Sequence, residues 1–132
     1  MACLRDSAPR IRRRMLILMS ILFVMSSPSF AQVMSGEKLF RNQCAACHSL
    51  VSGEFRVGPP LHELAGRKAG TVAGFSYSPA LSKARLRWKA ETLDKWLADS
   101  SAFVPGSVMN FRQADPVKRA AIIAFLLDIP SN

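Results

Sequence analysis

The sequence predicts an all-α domain of three to five short helices joined by loops rich in Gly and Pro. Three observations lead there. Apolar residues recur at helical spacing near both ends of the chain and once between them, and the stretch from Ser49 to Tyr77 holds no sustained strand alternation. The first helical segment also runs directly into Cys44-Ala45-Ala46-Cys47-His48. A loop as long as 49–77 is out of place in a compact domain unless something rigid orders it.

The elements follow in chain order. Ser35 can cap a helix whose face carries Leu39, Phe40 and, one turn on, Cys44. Ser78-Pro79 opens a short helix in the same manner. Leu93, Trp96 and Leu97, at i, i+3 and i+4, mark an amphipathic helix beginning near Glu91. Asp115-Pro116 gives an N-cap followed by Pro at the first helical position; Val117 to Leu127 is then rich in helix formers, with Pro130 just beyond.

Residues 44–48 form a C-x-x-C-H run. At this spacing two thiols can add across the two vinyl groups of one porphyrin while the next residue's imidazole reaches the iron, which makes it an attachment site for a c-type haem. In the cytosol the same cysteine pair would read as a redox couple or half a zinc site, so the compartment matters. Arg10, Arg12, Arg13 and Arg14 form a positive n-region, and Met15 to Met25 is apolar except for Ser20. Ser29-Phe30-Ala31 then places small residues where a signal peptidase reads. A spanning helix needs ~20 apolar residues, more than this run supplies. The expectation is a secretory signal peptide over 1–31, cleaved after Ala31, and one domain over 32–132 in the periplasm. Cys3 leaves with the leader, so the haem replaces a disulfide as the covalent staple of a small exported chain.

The full chain carries 18 basic and 9 acidic residues, formally +9; without 1–31 the balance is 13 against 8, or +5. A mildly basic monomer of this size suits transient electrostatic docking on redox protein partners. The alternation of cations with apolar groups in Lys83-Ala84-Arg85-Leu86-Arg87-Trp88-Lys89 is too weak for nucleic-acid binding, and an exported chain meets little nucleic acid. His62 with Cys44 and Cys47 would make three zinc ligands, but that arrangement wants a fourth and leaves His48 without a role. Outside the leader the methionines are Met34, ahead of the first helix, and Met109, which follows a Pro-Gly turn as a ligand in a loop would.

From Gly36 to Leu127 the chain resembles the class I cytochromes c of the mitochondrial and alphaproteobacterial type. The likeness lies in separate motifs in family order: Gly36 and Phe40 with Phe125, the C-x-x-C-H run, Gly58-Pro59-Pro60-Leu61, Gly66-Arg67-Lys68, Phe75-Ser76-Tyr77, Trp88, and Pro105-Gly106-Ser107-Val108-Met109. The resemblance implies the small cytochrome c fold around one haem c held through Cys44 and Cys47. It also implies His48 and Met109 as axial ligands, and Pro59 as the carbonyl that orients the His48 ring. Arg67, Tyr77 and Trp88 would be partners of the haem propionates, and Phe111 an aromatic at the exposed haem edge.

Three residues depart from the family pattern. Trp96 stands where relatives carry a tyrosine that bonds the ligand sulfur, Leu81 replaces a polar residue, and Val108 replaces a lysine of the ring around the haem edge.

An iron closed on both faces by protein can only pass electrons through its outer sphere. Thioether ligation favours the ferrous state. The function implied is a one-electron carrier, not an enzyme, working between a quinol-oxidising complex or dehydrogenase and a terminal oxidase or other acceptor. Two alternatives stand beside it: a haem sensor or small peroxidase in which Met109 is displaced, and a dedicated subunit of a periplasmic dehydrogenase.

Overall fold

The computed structural model describes residues 35–129. The leader with its cleavage point, Met34 and Pro130 lie outside the described residues. Those described form five helices: α1 (Gly36–Gln43), α2 (Pro79–Lys83), α3 (Ala90–Ala98), α4 (Ser100–Phe103) and α5 (Pro116–Leu127). Four match the sequence expectation, α3 beginning one residue before Glu91. The four-residue α4 is additional; Asp99 caps it by accepting the Ala102 N–H at 2.9 Å.

Helix α1 begins where Ser35 Oγ accepts the Lys38 N–H. It turns Leu39 and Phe40 into the core while Glu37 and Arg41 pair at 2.5 Å on its exposed side. At its other end Cys44 is the C-cap, so the helix delivers the first thiol directly. Helix α5 is opened by Asp115, whose Oδ1 accepts from Val117 and Lys118 at 2.9 and 3.3 Å, and it buries Ile122, Ile123 and Leu126. α1 meets α5 at very close range because Gly36 has no side chain: a Cβ there would overlap the Ala121 carbonyl and lie 2.7 Å from Phe125 Cβ. One turn on, Phe40 and Phe125 tilt together with centroids 5.6 Å apart. Such a pair adds about 0.5–1.5 kcal/mol beyond its buried area.

Helix α3 packs on both α4 and α5 and buries Leu93, Trp96 and Leu97. Arg119 of α5 ties the two longer helices to the preceding loop, donating to Asp94 at 2.7 Å and to the Gln113 and Ala114 carbonyls at 2.9 and 3.0 Å.

The long 49–77 segment is irregular, as expected, but it is pinned. Residues 66–69 lie antiparallel to 86–88 through Gly66 N–H to Trp88 O, Trp88 N–H to Arg67 O, and Ala69 N–H to Leu86 O, at 2.8, 2.9 and 3.0 Å. This short ribbon turns Lys68, Arg85, Arg87 and Lys89 outward and buries Trp88. Nearer the cysteines, Ser49 Oγ donates to Glu54 at 2.8 Å, Glu54 accepts from Arg56, and Arg56 also donates to the Ala45 carbonyl.

Two consequences can be measured. Gly36→Ala should destabilise the holo-protein by about 1–3 kcal/mol in denaturant titration, because the obstacle is a helix backbone that cannot step aside and the usual helix preference for Ala is overridden. The Ser49 hydroxyl and then Arg56 hold the Glu54 carboxyl below the usual carboxylate range. A lowered folded-state pKa gives stability that is present above the ordinary value and lost as pH falls through the folded one. Glu54→Gln should therefore be less stable than the parent near neutral pH, and the gap should close in acid when denaturation midpoints are compared across pH.

Candidate haem site

All nine residues singled out by sequence line one cleft of about 330 Å³: Cys44, Cys47, His48, Pro59, Arg67, Tyr77, Trp88, Met109 and Phe111. The rest of its wall is largely apolar, with Leu64, Leu81, Leu93 and Leu97 among the lining. His62 is not in the lining, and among the described residues no three His, Cys, Asp or Glu side chains gather as a metal site.

Cys44 and Cys47 flank a single turn, closed by Cys47 N–H and His48 N–H donating to the Cys44 carbonyl at 3.0 and 2.9 Å. Burial, and then the neighbouring Cys47, push the Cys44 thiol up to about 11. A cysteine poised for disulfide exchange has the opposite character, a lowered pKa.

His48 is half-buried, and its Nδ1–H donates to the Pro59 carbonyl at 2.8 Å. A carbonyl can only accept, so the proton sits on Nδ1 and the Nε2 lone pair is left for a metal. Burial lowers the ring's proton affinity and the Pro59 bond partly opposes it, so the neutral, ligating form is favoured. Gly58 lies against the ring: a Cβ there would sit 2.7 Å from Nδ1 and 2.9 Å from Nε2. Only glycine allows that approach.

Arg67 donates to the carbonyls of His62 at 2.6 Å and Pro60 at 3.1 Å, bracing the turn that holds Pro59. Of its five N–H groups three remain for an anion. Burial, first, makes both Arg67 and Tyr77 less willing to ionise; each one's charge opposes that effect in the other. Trp88 packs edge-on against Trp96 at 5.5 Å, so Trp96 is core as well as cleft wall.

Sequence reasoning missed the residue that fixes the Met109 loop. Ser100, wholly buried at the start of α4, donates through Oγ to the Met109 carbonyl at 2.7 Å and accepts the Phe111 N–H at 2.9 Å; its own N–H donates to the Phe111 carbonyl. The only sequence signal was the Asp99 cap one residue earlier.

These residues fit a haem. The cleft is apolar, paired thiols and an unprotonated imidazole nitrogen stand on one side, a thioether residue lines the same space, and Arg67 has donors to spare. Residues 33–130 match the family model described as Cytochrome c. The chain belongs to the cytochrome c family. It is 42% identical over 94 residues to cytochrome c of Nigella damascena, covering 70% of this chain and 85% of that one. It is 46% identical over 84 residues to cytochrome c2 iso-2 of Magnetospirillum fulvum, covering 63% and 88%. Among solved structures, cytochrome cH from Methylobacterium extorquens superposes with a TM-score of 0.63 at 42% identity, covering 69% of this chain and 92% of that one. As a class I cytochrome c the protein has the small all-α fold expected. It carries one haem c, attached through its cysteine pair, and is an electron-transfer protein, not an enzyme.

Ser100→Ala would leave the Phe111 N–H and the Met109 carbonyl without their buried partner. Such a loss costs about 1–3 kcal/mol. The expected result is a lower thermal midpoint together with faster amide exchange at Phe111 by NMR, while Ser100→Thr keeps the hydroxyl and much of the protection.

Proposed function

We propose that this cytochrome c is a periplasmic one-electron carrier whose iron is ligated by His48 and Met109. It would take electrons from a quinol-oxidising complex or a periplasmic dehydrogenase and pass them to a terminal oxidase or other acceptor. The observation that carries the reading is that His48, with its Nδ1 already committed to Pro59, and Met109 line the same apolar cleft as the two cysteines. When bound, the haem supplies a reversible one-electron couple at iron.

The chain's own residues do the rest. Pro59 and Gly58 hold the His48 ring in one orientation. Ser100 anchors the Met109 loop at Met109 and Phe111, which favours a permanently closed iron over a sensor or peroxidase with a displaceable thioether. Arg67, Tyr77 and Trp88 offer a guanidinium fork, a hydroxyl and an indole N–H to the propionates, because a buried carboxylate without partners costs several kcal/mol or takes up a proton. Phe111 lines the cleft beside Met109, at the edge where electrons would leave. Among the described residues no helix is long and apolar enough to cross a membrane.

Visible spectra of the oxidised and reduced protein, with and without carbon monoxide, test the ligation. The parent should be six-coordinate in both states and indifferent to carbon monoxide, whereas Met109→Ala should bind it readily and titrate at a lower midpoint potential. Carbon monoxide binding by the parent would remove Met109 from the iron. N-terminal sequencing of the periplasmic fraction should begin at Gln32.

A further inference from the structure

The cleft opens between two loops, and the side chains around that opening are unusual in kind. Val57 is 79% exposed and Val108 83% exposed, and both line the cleft. Gln43, Cys47, Asn110 and Phe111 line it with them, so none of these six carries a formal charge. Scattered exposed apolar residues are ordinary, but two valines flanking one functional opening form a patch.

The protein's positive charge lies elsewhere. Arg56, next to Val57, is paired with Glu54 at 2.8 Å and bonded to the Ala45 carbonyl. Lys118 and Arg119 face Asp115 and Asp94. Lys68, Lys83, Arg85 and Arg87 are exposed on or beside the 66–69/86–88 ribbon and do not line the cleft. Arg67, the charged lining residue, is half-buried and holds two backbone carbonyls. Arg112, following Phe111, is exposed and, like Arg56, outside the lining.

We propose that the cleft mouth is an apolar docking surface for a redox protein that presents an uncharged, apolar patch around its own electron-exit site. This deepens the carrier reading and rests on it. A partner ringed by carboxylates would bring its charges against Val57 and Val108, desolvating them with no cation opposite; a partner ringed by lysines would fare no better. An uncharged patch loses only water. Docking is then governed by buried apolar area, and the ribbon cations act at longer range, where salt screens them. The expectation of electrostatic docking therefore narrows to the approach and does not extend to the contact itself.

A second copy of this chain presents a surface of the stated chemistry, so electron self-exchange is the test, read by NMR line broadening in mixtures of oxidised and reduced holo-protein. Raising ionic strength from about 0.01 M to about 1 M shortens the screening length from about 30 Å to about 3 Å, and the parent rate should change less than about fivefold. The double variant Val57→Lys/Val108→Lys sets like charges face to face. It should exchange at least about tenfold more slowly at the low ionic strength and recover at the high one. Val57→Ser/Val108→Ser should be slower at every ionic strength, and Arg85→Gln should stay within about twofold of the parent. A steep acceleration of the parent by salt, or parent-like exchange in the double lysine variant, would overturn the docking surface. Carbon monoxide binding with no self-exchange in the parent would instead overturn the carrier reading, so the two failures are distinct.

Discussion

The hydrogen bond from His48 Nδ1 to the Pro59 carbonyl joins the turn that carries both cysteines to the first half of the longest loop in the domain. Other bonds run parallel to it: Gly58 N–H to Cys47 O and Leu61 N–H to Ser49 O, each at 2.8 Å, and Arg56 to Ala45 O. Without these ties residues 49–61 would be a structureless excursion whose ordering nothing repays. With them, the loop becomes one wall of the cleft and sets the imidazole against it. Gly58 is the limiting element, because any side chain there would have to occupy the space of the His48 ring.

The helices answer a different need. A domain of about 100 residues buries a modest share of its surface, so α1, α3 and α5 must reach close contact wherever they touch each other. Gly36 against Ala121 and Phe40 against Phe125 achieve this for α1 and α5, while Arg119 with Asp94 joins α5 to α3. Some of the buried inner-face residues, Leu93, Leu97 and Leu126 among them, belong to the core and also form part of the cleft wall. A flat apolar cofactor completes the packing, and this is why fold and cofactor cannot be separated here.

Much of this is legible in the sequence. Ser35, Ser78 and Asp115 are cap residues at the starts of their helices, because capping is local chemistry written in one or two residues. The cysteine spacing gave the cofactor for the same reason. What stayed hidden depends on partners distant in sequence. Helix α4 is too short for periodicity to register, and the role of Ser100 is set by Met109 and Phe111, nine and eleven residues away. In sequence the ribbon shows only cations alternating with apolar groups. That alternation is the strand pattern, but it became visible as one only once 66–69 lay beside it. Arg67, by resemblance a partner of the propionates, braces the Pro59–Pro60 turn through two carbonyls that no sequence pattern announces.

The Met109 loop shows how one backbone conformation meets two opposed demands. From Ser107 to Asp115 exposure alternates residue by residue, the mark of an extended chain whose successive side chains point to opposite sides. Met109, Phe111 and Gln113 turn inward; Val108, Asn110 and Arg112 turn out. Ser100 holds the first two inward residues through their backbone, and Gln113 is held by Leu97 O at 2.8 Å and by Gln43 at 2.8 Å. Because the period is two, a slip of one residue would carry the thioether to the surface and put Val108 in its place. The same anchors that keep sulfur in the cleft thus keep Val108 on the rim, so the residue proposed to close the iron and the residue proposed to meet the partner are positioned by a single set of bonds.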